Sequence, residues 1–135
     1  DPTSQYSGVI AKFMTAAIEG TKYTVNGDGT QARDFTYIDN VVKGNLLALK
    51  ASRLGGEAVN VACGGKFSLL DLIDAINKAA GVDLLIEFGA DRAGDVKYSM
   101  AAIEKAKELL GYEPDIDFYE GIKRTFEWYS SNSRA

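Results

Sequence analysis

Four times along this 135-residue chain, an apolar stripe of helical period runs into a glycine. Ile10, Phe13, Met14 and Ala17 precede Gly20. Val42, Leu46, Leu47 and Leu49 precede Gly55-Gly56. Leu69, Leu72, Ile73, Ile76 and Ala80 precede Gly81, and Ile103, Ala106 and Leu110 precede Gly111. Spacings of three and four residues put such side chains on one face of a helix, and glycine readily takes the left-handed turn that closes one. A fifth stripe, Ile122, Phe126 and Tyr129, follows Asp117. The start signals agree. Ser68 with Asp71 is a capping-box pair, Phe67 and Leu72 stand at hydrophobic-staple spacing, and Asp39 and Ser99 are placed to cap their helices. The extended pieces between the helices are short: residues 23–25, 34–37, 58–62 and 84–88. The turn 26–29 reads as a hairpin connection. About five helices joined by strands this few and this short predict an α/β fold without a complete doubly wound sheet. No repeat or linker divides residues 1–135, so a single domain is expected.

Composition narrows the chemistry. With 46% hydrophobic and 25% charged residues the balance is that of a globular protein. No apolar run approaches the roughly 18 residues of a membrane helix. A net charge of −4 argues against a general nucleic-acid or anionic-membrane binder. The absence of histidine removes a Ser-His-Asp triad and any His-Cys metal site within the chain. Cys63 has no second cysteine to pair with, so a reducing cytoplasm is the expectation. Residues 1–5 show no leader pattern, and a start at Asp1-Pro2 without methionine reads as a piece cut from something longer.

Several motifs have a plain structural reading. Residues 27–32 fit the G-x-G-x-x-A dinucleotide pattern, but Arg33-Asp34-Phe35-Thr36-Tyr37 follows instead of a helix start, so a turn is the better reading. Tyr119 and Lys123 have the Y-x-x-x-K spacing of a proton-transfer pair, which is also what any two residues on one helical face show. Gly64-Gly65-Lys66 lacks the spacing of a phosphate loop, and Cys63 after an apolar segment reads as a small buried filler.

Two loop arginines admit a functional reading. Arg33 lies just past a polar turn, and Arg92 lies in Asp91-Arg92-Ala93-Gly94-Asp95 after the best strand pattern. Each is either a solvated surface charge or a planar fork of donors suited to a diphosphate. Spacing alone does not bring the two together.

The order of several short blocks resembles the extended short-chain dehydrogenase family, which includes UDP-sugar 4-epimerases, nucleotide-sugar dehydratases and decarboxylases. The blocks are Gly27-Asp28-Gly29, Arg33-Asp34-Phe35, Tyr37-Ile38-Asp39-Asn40-Val41, residues 56–62, Arg92-Ala93-Gly94-Asp95-Val96, residues 109–114 and residues 121–125. The resemblance covers essentially the whole chain and is nearest to the UDP-sugar 4-epimerases. It implies the small C-terminal substrate-binding lobe of a Rossmann-type epimerase, with the Rossmann N-terminal half absent. It also implies roles for single residues. Arg33 and Arg92 would hold the nucleotide diphosphate and Asp95 the ribose hydroxyls. Thr24, Val25 and Asn26 would meet the base, with Val9 near it. Ala11 stands where family members often carry proline.

In that family catalysis uses a tightly held NAD and a Tyr-x-x-x-Lys pair, both from the N-terminal part. The resemblance therefore implies a UDP-sugar partner, NAD in the parent enzyme and none on this chain, and no catalytic residue here. A non-catalytic nucleotide-sugar-binding or interaction module, and the same lobe of a dehydratase, are the alternatives. Loss of a covering domain predicts an exposed apolar face around Ile10, Phe13 and Met14, and self-association through it.

Overall fold

The structure is a computed structural model, and it describes residues 8–52 and 54–132. Residues 1–7, on which the reading of the N-terminus rests, lie outside the described residues. The elements in chain order are α1 (Val9–Glu19), β1 (Tyr23–Asn26), β2 (Ala32–Arg33), α2 (Ile38–Lys50), β3 (Phe67–Ser68), α3 (Leu69–Ala80), β4 (Ile86–Gly89), α4 (Glu104–Leu110) and α5 (Phe118–Asn132). Among the described residues the five expected helices are present, and Gly20, Gly81 and Gly111 close three of them at φ near 65°. No helix is long and apolar enough to cross a membrane among these residues.

The strands form two separate pairs, β1 with β4 and β2 with β3. The 26–29 turn is therefore not a hairpin: β1 takes β4 as a parallel neighbour, with Tyr23 opposite Ile86 and Asn26 opposite Gly89. Residues 34–37 are irregular, and only Ala32–Arg33 before them is extended into a ladder.

The chain forms two compact units. The first contains residues up to Gln31, Ser68–Lys97 and those from Ile122. Its core is the contact of α1 with α3 over β1, with Phe13, Met14, Leu72 and Ile76 fully buried and Val25 1% exposed. Phe13 meets the Tyr23 ring edge-on at 5.0 Å. The expected exposed face at Phe13 and Met14 is thus corrected: these side chains fill the core. The capping box is formed as expected, with the Asp71 N–H donating to Ser68 Oγ at 3.0 Å and the Ser68 N–H to Asp71 Oδ2 at 2.8 Å.

The second unit contains Ala32–Phe67 and Tyr98–Gly121. Ala106, Leu110 and Tyr112 form its core, with Leu47, Ala48, Ala51, Val59 and Val61 packed against them. Here α2 departs from expectation. Its fully buried positions are Asn40 and Gly44, while Val42, Leu46 and Leu49 face solvent. Asn40 explains the inversion. Its amide donates to the Ile116 carbonyl at 2.7 Å and accepts from the N–H groups of Asp115 and Ile116 at 2.9 and 3.1 Å. Gly44 lets the helix come close: a Cβ there would stand 2.6 Å from a Val61 methyl.

Other expectations are corrected in the same unit. Tyr37, not Asp39, occupies the N-cap of α2, and Asp39 sits in the first turn. Residues 58–62 form no strand, because no ladder partner is present for them among the described residues; Asn60 and Ala62 are instead tied to Ala102 and Tyr112. Ser99 caps nothing. Its N–H donates to Ala32 O, and α4 starts five residues later. Asp117 does cap α5, accepting from the Glu120 N–H at 2.9 Å.

Candidate functional site

A cavity of about 300 Å³ in the first unit is lined by Asn26, Asp28, Thr30, Gln31, Asp91, Arg92, Asp95 and Lys97. Two loops make it: the turn after β1 and the loop after β4. Glycine is required at both contacts of the first loop. Gly27 and Gly29 each have φ 76°, and a Cβ would lie 2.5 Å from Asp91 Oδ1 at Gly27 and 2.9 Å from Leu70 Cδ2 at Gly29. The Gly27 N–H reaches the carbonyls of Gly89 and Ala90 at 3.2 and 3.3 Å, which ties one loop to the other.

The turn is braced from within. Asp28 Oδ1 accepts from the Thr30 hydroxyl at 2.6 Å and the Thr30 N–H at 2.9 Å. Those bonds, the hydroxyl's first, hold the Asp28 carboxyl below its ordinary range, so it stays ionised. The second loop bends at Gly94, φ 79°, where the Asp95 N–H donates to the Arg92 carbonyl at 3.1 Å. Arg92 and Asp95 therefore sit at the two ends of one turn. The lining holds three carboxylates and two cations.

The edge of β1 matters as much as the side chains. In a parallel ladder, alternate residues bond the same neighbour. The Tyr23 N–H donates to Leu85 O and the Gly27 N–H to Gly89 O, so the backbones of Thr24 and Asn26 face the opposite edge. No strand pairs there among the described residues. Gln31 Nε2 takes the Asn26 carbonyl at 2.8 Å. What remains is the Asn26 N–H, a donor, beside the Thr24 carbonyl, an acceptor, with the Thr24 N–H one step back along the strand. That pattern suits a planar heterocycle with adjacent acceptor and donor.

The expected residues fall in different places. Asn26, Arg92 and Asp95 line the cavity together. Thr24 is exposed on the same strand, whereas Val25 points the other way into the core, leaving only its backbone near the site. Val9 opens α1 and is half-buried. Arg33 belongs to the second unit, where its Nη1 donates to the neighbouring Ala32 carbonyl at 2.9 Å. Asp28, Thr30, Gln31, Asp91 and Lys97 were not expected in the site. The polar run around two glycines was the available signal for the first three.

The 27–32 glycine pattern does not open a helix: it leads into β2, and the N-terminus of α3 that meets it spends its Leu69 and Leu70 N–H groups on the Gln31 and Gly29 carbonyls at 3.2 and 3.3 Å, so the segment is not a dinucleotide fingerprint. Tyr119 and Lys123 both lie on α5, with the Tyr119 ring edge-on to Phe67 at 6.1 Å. Cys63 is half-buried rather than fully buried. Burial, then the nearby Asp34 charge, pushes its thiol up, the opposite of a reactive cysteine.

Residues 1–62 match the NAD dependent epimerase/dehydratase family, and similarity to nucleotide-sugar enzymes extends along most of the chain. It is 40% identical over 91% of its length to the UDP-glucuronate 4-epimerase of Thermodesulfobacterium geofontis, of which it covers 38%. The crystal structure of UDP-glucose 4-epimerase from Thermotoga maritima, solved with UDP-glucose, superposes at a TM-score of 0.90 with 33% identity over 98% of this chain and 42% of that one. The UDP-glucuronic acid 4-epimerase of Bacillus cereus, solved with UDP-glucuronic acid and NAD, gives a TM-score of 0.87 and 30% identity over 93% of this chain and 40% of that one. The chain thus spans about two fifths of the relatives it matches.

Proposed function

We propose that residues 1–135 act as the nucleotide-sugar-binding lobe of an NAD-dependent UDP-sugar 4-epimerase. The observation that carries this reading is the meeting of Asn26, Arg92 and Asp95 in one cavity. In it Arg92 holds the diphosphate, because a guanidinium keeps its charge and offers paired donors. Asp95 accepts from the ribose hydroxyls. The open edge of β1 meets uracil, the Asn26 N–H donating to a ring carbonyl and the Thr24 carbonyl accepting from the ring N–H. Val9 packs near the base.

Residues for hydride and proton transfer are not assigned to this chain. It binds and orients the substrate; NAD, bound by a parent enzyme, supplies the hydride chemistry. A cavity of about 300 Å³ is at the small end of ligand sites and holds only part of a nucleotide sugar.

The test is an amide NMR titration of the chain with UDP, UDP-N-acetylglucosamine and GDP. Shifts at residues 24–31 and 91–97 with the uridine compounds alone, lost in Arg92→Ala, are the expected result. Equal response to GDP would overturn the base assignment. Shifts unaffected by Arg92→Ala would overturn the diphosphate assignment. No response to any nucleotide would remove nucleotide binding as a property of the chain itself.

A further inference from the structure

Asn26 is the only asparagine of the chain that is followed by glycine. That pair has a covalent chemistry of its own. The backbone nitrogen of the glycine attacks the carbonyl carbon of the asparagine side chain. A new N–C bond forms, the side-chain amide leaves as ammonia, and a cyclic imide results. Water then opens the ring at either carbonyl, leaving aspartate or isoaspartate. The only co-reactant is water, and Asn26 is exposed to it. Glycine favours the closure because it has no Cβ to crowd the attacking nitrogen.

The fold opposes that closure at one peptide group. The carbonyl of Asn26 and the N–H of Gly27 belong to the same rigid plane. Gln31 Nε2 donates to the carbonyl at 2.8 Å. The N–H is shared between the Gly89 and Ala90 carbonyls at 3.2 and 3.3 Å. The plane is thus clamped at both ends, from the turn after β1 and from the end of β4. Ring closure needs the side-chain carbon and the Gly27 nitrogen nearly eclipsed about the Cα–C bond. β1 holds Asn26 extended, opposite Gly89, which keeps them apart. Reaching the reactive rotation means turning the clamped plane and breaking its hydrogen bonds.

We propose that Asn26 is a deamidation site guarded by this clamp, reacting only when β1 and β4 part at the Asn26–Gly89 end. The modification is irreversible, so it accumulates as a record of that opening. Aspartate would add a carboxylate beside Asp28, Asp91 and Asp95 in the cavity. Isoaspartate would add a main-chain methylene and put the Gly27 N–H out of step with Gly89. The inference is independent of the nucleotide reading.

Mass spectrometry of tryptic peptide 23–33, whose only asparagine is Asn26, tests it after incubation of the chain at mildly alkaline pH. The reference is the same chain unfolded in guanidinium chloride. The exchange of amide for acid should be at least about tenfold slower in the folded chain, because a local opening must come first. Gln31→Ala should speed the folded reaction roughly fivefold, as loss of one clamping hydrogen bond predicts. It should leave the unfolded rate unchanged, and hydrogen exchange at the Gly27 amide should rise with it. An unfolded chain that keeps its Asn26 amide overturns the site. A folded rate equal to the unfolded one, or a Gln31→Ala rate equal to that of the unaltered folded chain, overturns the clamp.

Discussion

Removing the Asn40 amide takes away one acceptor and one donor that together satisfy two N–H groups and a carbonyl of residues 115 and 116. Asn40 is 1% exposed, so water does not replace it. Asn40→Ala should therefore destabilise the fold by about 2–4 kcal/mol in urea unfolding. At Gly44 two effects oppose. Alanine is favoured over glycine in a helix by ~1 kcal/mol, but its Cβ would meet both Val61 methyls at 2.6 and 2.8 Å. Overpacking of about 1–3 kcal/mol wins. Gly44→Ala should lose stability, and Val61→Ala in the same chain should relieve the clash, giving a double variant more stable than the sum of the two losses. At the cavity, Asp95→Asn should weaken uridine nucleotides by less than Arg92→Ala does, because an amide still accepts a hydrogen bond whereas alanine removes the cation; calorimetric titration ranks the two.

The capping box of α3 makes a prediction at the scale of an element. Hydrogen bonds from the Ser68 hydroxyl and then its N–H hold the Asp71 carboxyl below its ordinary value of 3.8. A carboxyl lowered by folding stabilises the fold above its unfolded pKa and loses that effect as pH falls through the folded value. The window is thus below pH ~4. Ser68→Ala should return the Asp71 midpoint toward the ordinary range in a carboxyl-carbon NMR titration and cost about 1 kcal/mol. This box, like the glycine stops, was legible because it is local: its partners are three residues apart. Where partners are distant, local pattern misled. Residues 58–62 have strand-like side chains but no ladder partner among the described residues. Of the α2 stripe Leu47 packs inward, while Val42, Leu46 and Leu49 point outward because one asparagine and one glycine with long-range contacts set which side faces in. The candidate site was legible in part. Arg92 stood out in its loop and Asp95 was assigned only through the family resemblance, while their meeting with Asn26 depends on a parallel pairing of β1 with β4 that no periodicity reveals.

For the whole molecule, the mixed charge of the cavity and its size set an expectation. Three carboxylates face two cations there, so a diphosphate gains from Arg92 and Lys97 only against nearby negative charge. The chain with added NAD should show no turnover of UDP-galactose in a coupled assay; measurable turnover would place catalytic groups within these residues. The order in which residues contribute to the first unit has a further effect, on how the chain folds as it is made. Paired Tyr23 and Ile86 lie 63 residues apart (86 − 23), and the second unit's first stretch, Ala32–Phe67, is synthesised between them. Parallel pairing across such a separation is slow, since loop closure precedes any contact that rewards it. A ribosome that has released the chain only to Leu85 presents β1 with no partner strand and α1 facing the α3 it packs on. Stalled at Gly20, it presents α1 with Phe13 and Met14 uncovered. Such a nascent chain keeps a strand edge unpaired until Gly89 emerges, so slowing translation between Ser68 and Gly89 should lower soluble yield more than slowing it after Lys97.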